Sequence, residues 1–191
     1  MTGNKGWTVG VPAIRKERLM STLVAYYSRA GQNYGNGGII DLPKGNTEVL
    51  AEAIAKDLGA PLFKIETVEP YPADYYATTD QAKRELRDQA RPAIQGPLPS
   101  MEGVDAIVLG YPNWWGTVPM AVKTFLDSIE LDGVTIAPLC TNEGSGLGGS
   151  VRDLRRSYPA ANVVKGLSIR GTDAARSCDK AVAWARKAIE V

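Results

Sequence analysis

The sequence lacks histidine altogether, and it contains only two cysteines, Cys140 and Cys178. Without an imidazole the chain cannot supply the general base of a Ser-His-Asp or Cys-His catalytic site, nor the nitrogen ligands of a histidine-containing zinc site. Two cysteines are too few for a cysteine-only zinc site or a disulfide framework, and they suit a reducing compartment. These absences exclude most familiar hydrolase chemistry, and we expect no metal site.

The sequence also has no marked excess of either charge and no long apolar run. Lys and Arg number 22 against 21 for Asp and Glu, a formal charge of +1, so we expect no nucleic-acid partner and no acidic-membrane partner. No run approaches the roughly 20 apolar residues of a membrane span, and residues 1–19 lack the apolar core of a signal peptide. The sequence therefore predicts a cytoplasmic protein, with 1–19 as a disordered extension before one domain at 20–191.

Short apolar runs alternate with segments of helical periodicity along the 191 residues, of which 44% are hydrophobic. This alternation is typical of βαβ units and a parallel sheet. We therefore expect an α/β fold with a doubly wound, five-stranded parallel sheet and helices on both faces. The predicted strands are 22–27, 61–66, 106–111, 135–141 and 163–169, and the predicted helices are 47–58, 74–90, 119–129, 150–158 and 172–189.

Three local features qualify this pattern. Lys64 and Glu66 favour an edge position for the second strand, where charge discourages unwanted pairing. Pro138 weakens the fourth strand because proline cannot donate to a ladder. Residues 31–45 form a glycine-rich insertion between the first strand and its helix, which we interpret as a long loop with a functional role.

A ligand of a doubly wound sheet binds beyond the carboxyl ends of the strands, so the loops after the first, third and fourth strands are the candidates. The first loop offers hydroxyls, glycines and the free N–H groups of a helix start, which together can hold a phosphate. The alternative is an ordinary capped helix after a flexible loop, with Asn46 as the N-cap. A nucleotide-triphosphate P-loop is not supported, because Lys44 precedes Gly45 instead of following it.

The second loop contains adjacent tryptophans, Trp114 and Trp115. Adjacent loop residues can hardly both point inward, so we expect one to pack in the core and one aromatic face to be available for a planar ligand. The alternative is a plain surface tryptophan.

The third loop carries G-x-G-x-x-G at Gly144, Gly146 and Gly149, but it follows the fourth strand and not the first, where a dinucleotide fingerprint belongs. We interpret these glycines as allowing close approach to a flat ligand, with simple loop flexibility as the alternative. Cys140 is expected to be a small buried hydrophobe and not a nucleophile. A phosphate tail with a stacked planar ring would suit the three loops together, and FMN fits that shape better than a dinucleotide.

From residue 20 to the C-terminus the chain resembles the flavodoxin-like FMN proteins. It is similar to the branch whose loops read Y-S-R-A-G, an insertion and G-N-T, then Y-P-N-W-W-G-T-x-P-M, then C-T-x-E-G-S-G-L-G-x-S. These motifs stand at residues 27–31 with 45–47, at 111–120 and at 140–150. The resemblance implies the flavodoxin strand order 2-1-3-4-5 and FMN as the cofactor. The flavin would carry the redox chemistry, so no catalytic side chain is expected.

The resemblance also implies which residues would bind FMN. Ser28, Asn46 and Thr47 would bind the phosphate, residues 114–117 would border the ring, and 144–146 would close its other side. Glu143 would lower the potential by charge repulsion, unless it is a solvated loop carboxylate. The full expected set is Ser28, Ala30, Gly31, Gly45, Asn46, Thr47, Pro112, Asn113, Trp114, Trp115, Gly116, Thr117, Thr141, Glu143, Gly144, Ser145 and Gly146.

Two functions are consistent with this resemblance. The first is an oxidoreductase that transfers electrons from NAD(P)H, or from a redox partner, to a small acceptor such as a quinone; the second is an electron carrier between redox proteins. Arg29 and Lys44 balance Asp41 and Glu143 in the three loops, whereas a carrier needs a patch of one sign to steer its partners. The charge balance favours the enzyme, and a homodimer is left open.

Overall fold

Residues 21–190 are described by the structure, a computed structural model, and a parallel sheet lies at their centre. In chain order the elements are β1 (Thr22–Tyr26), β2 (Gly31–Gly35), β3 (Gly38–Leu42), α1 (Asn46–Leu58), β4 (Leu62–Lys64), α2 (Tyr75–Asp88), β5 (Ala106–Pro112), α3 (Met120–Asp127), β6 (Thr135–Asn142), α4 (Ser150–Ser157), β7 (Asn162–Val163), β8 (Leu167–Arg170), two 3₁₀ turns (Gly171–Asp173 and Ala175–Ser177) and α5 (Cys178–Ile189). The extension expected at 1–19 lies outside the described residues.

The strand order of the main sheet is β4-β1-β5-β6, followed by β7 and β8, which both pair with β6. Every one of these pairings is parallel. Since β7 and β8 occupy one position in two pieces, the order is the expected 2-1-3-4-5, and the predicted fold class is confirmed. The short strand β4 stands at the edge, as its charges indicated.

The prediction of one continuous fifth strand at 163–169 is wrong, because this strand is broken between β7 and β8. The break lies beside Pro138. Pro138 lies within β6 opposite Leu109. The carbonyl of Ile136, two residues earlier and therefore on the same side of the strand, accepts from Val164. A Cβ at Gly166 would lie 3.0 Å from the Pro138 carbonyl oxygen. The missing N–H of Pro138 therefore faces the break between β7 and β8, where no ladder bond is required.

Helices cover both faces of the sheet. On one face Phe125 of α3 and Leu154 of α4 join a buried cluster, and on the other Ile54 of α1 and Ala185 of α5 join a second cluster. Because the central strands are buried on both faces, they appear in the sequence as continuous apolar runs. Among the described residues, no helix is both long enough and apolar enough to cross a membrane.

The N-cap of α1 and the beginning of the last helix differ from the predictions, whereas α2, α3 and α4 begin within one residue of the predicted position. The N-cap of α1 is Gly45 and not Asn46, which is the first helical residue. The last helix begins at Cys178 instead of at residue 172, since the two 3₁₀ turns occupy the preceding stretch.

The insertion is not a loop but an antiparallel hairpin of β2 and β3. Its two-residue turn consists of Asn36 (φ 53°) and Gly37 (φ 83°), both left-handed, as a type I′ turn requires. Asn-Gly is a strong local hairpin signal, and it was present in the sequence.

Candidate functional site

A cavity of about 620 Å³ opens at the carboxyl edge of the sheet. Eight of the expected residues line it: Asn46, Pro112, Asn113, Trp114, Trp115, Thr141, Glu143 and Ser145. The sequence analysis missed eleven other lining residues, which come mainly from the hairpin and α2: Arg29, Asn33, Tyr34, Tyr75, Tyr76, Thr78, Thr79, Asp80, Ala82, Asn142 and Gly171.

The loop after β5 turns back on itself at the two tryptophans. The N–H of Trp114 donates to the Thr117 carbonyl (3.0 Å), and the N–H of Thr117 donates to the Trp114 carbonyl (3.1 Å). The two residues between them are left-handed, with φ 54° at Trp115 and 85° at Gly116. A left-handed backbone costs a non-glycine residue about 1–2 kcal/mol. The turn thus holds Trp115 in a strained conformation that leaves its side chain 50% exposed.

The two tryptophans have different surroundings. The ring of Trp114 packs edge-on against Tyr27 (5.2 Å between centroids) and Tyr71 (5.0 Å), next to the core. The indole N–H of Trp115 donates to the Thr79 carbonyl at 2.9 Å, and the Lys83 ammonium lies 5.0 Å from its ring centroid. One tryptophan thus packs against the core while the other presents its ring, as expected, and α2 fixes the orientation of that ring.

Two asparagines organise the glycine loop. The Oδ1 of Asn142 accepts from the N–H groups of Gly144 and Gly146, both at 2.9 Å. Asn113 donates through Nδ2 to the Gly146 carbonyl (2.8 Å) and accepts through Oδ1 from the Gly116 N–H (2.9 Å). The loops after β5 and β6 are therefore joined into one unit. The sequence analysis missed Asn142, although an asparagine before Gly residues at a strand end is a turn signal.

The two loops also touch directly through their backbones. The N–H of Gly149 donates to the Gly116 carbonyl at 2.7 Å. At Gly148, where φ is 55°, a Cβ would lie 2.5 Å from the same carbonyl oxygen. Glycine at 148 is therefore required by both the backbone conformation and the close approach.

Glu143 is bound to the turn that follows β8. Its carboxylate accepts from the N–H of Thr172 at 2.8 Å and from the Thr172 hydroxyl at 3.3 Å. A Cβ at Gly171 would lie 2.8 Å from Oε1 of Glu143 and even closer to the side-chain amide of Asn46. The carboxylate is thus fixed at one end of the cavity and is not a freely solvated loop carboxylate.

The first loop brings its two halves together at the start of α1. The hydroxyl of Ser28 accepts from the Glu48 N–H at 3.1 Å, and a Cβ at Gly45 would collide with that hydroxyl. Thr47 is only 2% exposed, and its hydroxyl is 2.8 Å from that of Thr141. The side chain of Thr47 therefore does not reach the cavity.

The expected residues are divided between two cavities. Ser28, Ala30 and Gly31 line a neighbouring cavity of about 540 Å³. Six line neither cavity: Gly45, Thr47, Gly116, Thr117, Gly144 and Gly146.

Arg29 stands between the two cavities and lines both. Its guanidinium donates to the carbonyls of Pro72 and Ala73, each at 2.6 Å, and to that of Gln32. Burial lowers the pKa of this guanidinium, which nevertheless stays protonated. Arg29 thus joins the loop after β1 to the segment that precedes α2.

Cys140 is fully buried at the carboxyl end of β6. Burial raises the pKa of its thiol to about 12. Cys140 is therefore the small buried hydrophobe that the sequence predicted. A thiol that stays neutral is also a poor nucleophile.

Comparison with known proteins gives a family and a set of related structures. The flavodoxin family model matches residues 42–187. No curated protein matches the sequence.

Three solved structures are similar over most of their length. A candidate flavoprotein from Bacteroides eggerthii DSM 20697 is 28% identical with a TM-score of 0.71, over 90% of this chain and 98% of that one. A candidate flavoprotein from Bacteroides uniformis ATCC 8492 is 25% identical with a TM-score of 0.69, over 88% and 99%. A flavoprotein from Lactobacillus acidophilus NCFM, solved in complex with FMN, is 24% identical with a TM-score of 0.63, over 85% and 98%.

Proposed function

Because the chain belongs to the flavodoxin family, we propose that it is an FMN-dependent oxidoreductase that passes electrons from NAD(P)H to a small acceptor such as a quinone. The observation that carries this proposal is the recessed cavity of about 620 Å³, walled by the hairpin and α2 as well as by the cofactor loops. Concave sites of this size suit small molecules. An electron carrier needs a charged patch of one sign around its cofactor, whereas Arg29, Asp80 and Glu143 line this cavity together.

The residues present fit FMN. At the α1 end, Gly45 and the first-turn N–H groups of Asn46 and Thr47 form a helix start that suits a phosphate, with the hydroxyl of Ser28 beside it. Since the hydroxyl of Thr47 is bonded to Thr141, we assign Thr47 its backbone N–H alone.

At the other end, the exposed ring of Trp115 and the glycine loop suit a flat ring system. We assign Trp115 and Ser145, which line the cavity, to this ring, with Gly144 and Gly146 on either side of Ser145. Asn113 and Asn142 are assigned to the support of the glycine loop. Glu143, fixed by Thr172, adds a negative charge that opposes the accumulation of further negative charge in the cavity.

When bound, FMN supplies the two-electron chemistry. In the net reaction NAD(P)H loses a hydride and becomes NAD(P)⁺. The quinone takes up that hydride together with one proton from solvent and becomes the hydroquinone. The contribution of the chain is to bind and orient the reactants, and Trp115 would help to exclude water from the flavin ring.

The test is to denature the purified protein, identify the released flavin, and then measure NADH and NADPH oxidation with and without a quinone. We expect FMN, and oxidation that the quinone accelerates. Release of FAD, or no flavin even after reconstitution with FMN, refutes the cofactor. FMN without any nicotinamide oxidation refutes the enzyme and favours the electron carrier.

A further inference from the structure

Three tyrosines line the cavity in addition to the expected cofactor-binding residues. Tyr34 comes from β2, and Tyr75 and Tyr76 come from the first turn of α2. The rings of Tyr34 and Tyr75 are 6.4 Å apart and tilted by 34°, and those of Tyr75 and Tyr76 are 5.4 Å apart and nearly perpendicular. They form a continuous aromatic strip, which we call the tyrosine wall.

Much of this wall is exposed: Tyr34 is 44% and Tyr76 is 66% accessible to solvent. Together with Trp115 they place three exposed aromatic residues around one cavity. Aromatic residues clustered at a concave surface are the usual lining of a small-molecule site.

The backbone that carries the wall is held on both sides. The side-chain oxygen of Gln32 accepts from the N–H of Tyr75 at 2.9 Å, and the carboxylate of Asp74 accepts from the N–H of Ala77 at 2.7 Å. Arg29 binds the carbonyls that immediately precede this helix start. The wall is therefore organised before any ligand enters, which lowers the entropic cost of binding.

The hairpin that carries Tyr34 also packs close to the turn that follows β8. A Cβ at Gly35 would lie 3.2 Å from the methyl group of Thr172, in the turn that binds Glu143. An isolated hairpin is marginally stable in water. Its contacts with α2 at one end and with the Thr172 turn at the other hold Tyr34 in place.

The charge around the wall determines which ligands it favours. Asp80 and Glu143 line the cavity, and within residues 21–190 the one cation that lines it is Arg29. The guanidinium of Arg29 already donates to three backbone carbonyls. An anionic acceptor therefore meets more negative than positive charge within the described lining, while the tyrosine rings offer faces for stacking and hydroxyls for hydrogen bonds.

We propose that the tyrosine wall is the acceptor-binding surface, with Tyr34 and Tyr76 as the residues that select a neutral, planar aromatic acceptor. This inference rests on the proposed function, since it concerns the same cavity. In the transfer the acceptor gains two electrons and two protons, as in the net reaction given above.

The kinetic test uses the holoprotein, reduced anaerobically with dithionite and mixed with menadione or with ferricyanide. Ferricyanide is an anion that needs no stacking surface. Removal of one aromatic contact corresponds to a roughly 2- to 12-fold loss of affinity. In Tyr34→Ala and Tyr76→Ala, the menadione concentration that gives the half-maximal rate should rise by that factor for each ring. The ferricyanide rate should stay within about twofold of wild type.

Two variants serve as controls. Tyr34→Phe keeps the ring and should retain menadione binding. Val68→Ala truncates an exposed apolar residue that lines neither cavity and should change nothing. Because Tyr34 and Tyr76 are exposed, their truncation opens no buried hole, and thermal unfolding checks that each variant is folded.

A menadione titration followed by tryptophan fluorescence gives an equilibrium readout that does not depend on turnover. Weaker menadione binding by the Tyr34→Ala/Tyr76→Ala double variant than by Val68→Ala supports the inference. Equal binding, or an equal slowing with ferricyanide, overturns it. Absence of flavin in the same protein refutes the proposed function instead, so the two failures are distinguishable.

Discussion

Replacement of Trp115 by glycine or by alanine separates the backbone conformation of this residue from the role of its ring. Both variants lose the indole bond to Thr79 and the contact with Lys83. They differ in how they tolerate a φ of 54°. The comparison between the two variants therefore isolates the left-handed backbone.

The expected difference follows from two opposing contributions. A left-handed backbone costs alanine about 1–2 kcal/mol, and glycine avoids that cost. Glycine gives up about 0.4–1 kcal/mol of this advantage because its unfolded chain is more flexible. Trp115→Gly should therefore unfold with a free energy higher than that of Trp115→Ala by roughly 1 kcal/mol, or a Tm higher by about 2–4 °C for a chain of this size.

Urea and thermal unfolding of the flavin-free proteins measure this difference. A Trp115→Ala protein as stable as Trp115→Gly would mean that residue 115 does not adopt the left-handed conformation. A titration with FMN tests the ring separately, since both variants should bind FMN about 2- to 12-fold more weakly than wild type. Wild-type affinity in both would remove Trp115 from the cofactor site.

Three further outcomes are expected from the loops and the core. Gly148→Ala should lower the free energy of unfolding by about 2–4 kcal/mol through its left-handed φ and its collision with the Gly116 carbonyl. Gly103→Ala, left-handed but in open space, should lose only about 1 kcal/mol, and equal losses in urea titrations would contradict the collision. Asn142→Ala should weaken FMN binding about tenfold or more in a flavin-fluorescence titration, because two loop N–H groups lose their acceptor. Asn142→Asp, which keeps an acceptor oxygen, should lose less FMN affinity than Asn142→Ala. Equal FMN affinities in the two variants would show that the acceptor of residue 142 does not support the cofactor site. Burial raises the pKa of the Cys140 thiol from 9.0 to about 12, so its contribution to stability is complete below pH 9 and is lost as the pH rises toward 12. In urea unfolding measured as a function of pH, the free energy of unfolding of Cys140→Ala should therefore fall less steeply than that of wild type over this range. Equal slopes in the two proteins would argue against a raised pKa of Cys140.

The parts of the fold that the sequence predicted well are those set by burial. β1, β5 and β6 are buried on both faces. Each appears in the sequence as an apolar run, which can be recognised as a strand without knowledge of what it pairs with. The break between β7 and β8 could not be predicted in this way, because it depends on the pairing of β6 around Pro138. The hairpin was missed because its strands do not alternate apolar and polar residues, although the Asn36-Gly37 signal was present.

The same distinction applies to the site. Asn113 and Trp115, which the motif loops singled out, both line the cavity, because the turn that positions them lies within the same loop. The bond between the hydroxyls of Thr47 and Thr141 joins residues 94 positions apart, so no local pattern predicts it. Tyr75 and Tyr76 fall within the helix predicted at 74–90, and no local pattern predicts the contacts of Arg29 and Gln32 that hold the start of this helix beside the cavity.

Antiparallel pairing within the hairpin returns the chain at Leu42 to a position beside Gly31. The insertion therefore lengthens the first loop without separating the two points at which that loop leaves and rejoins the scaffold. An interchangeable module of this kind can be shortened, extended or replaced while the sheet, the start of α1 and the glycine loop keep their places. One face of the cavity can thus diversify independently of the framework that supports it.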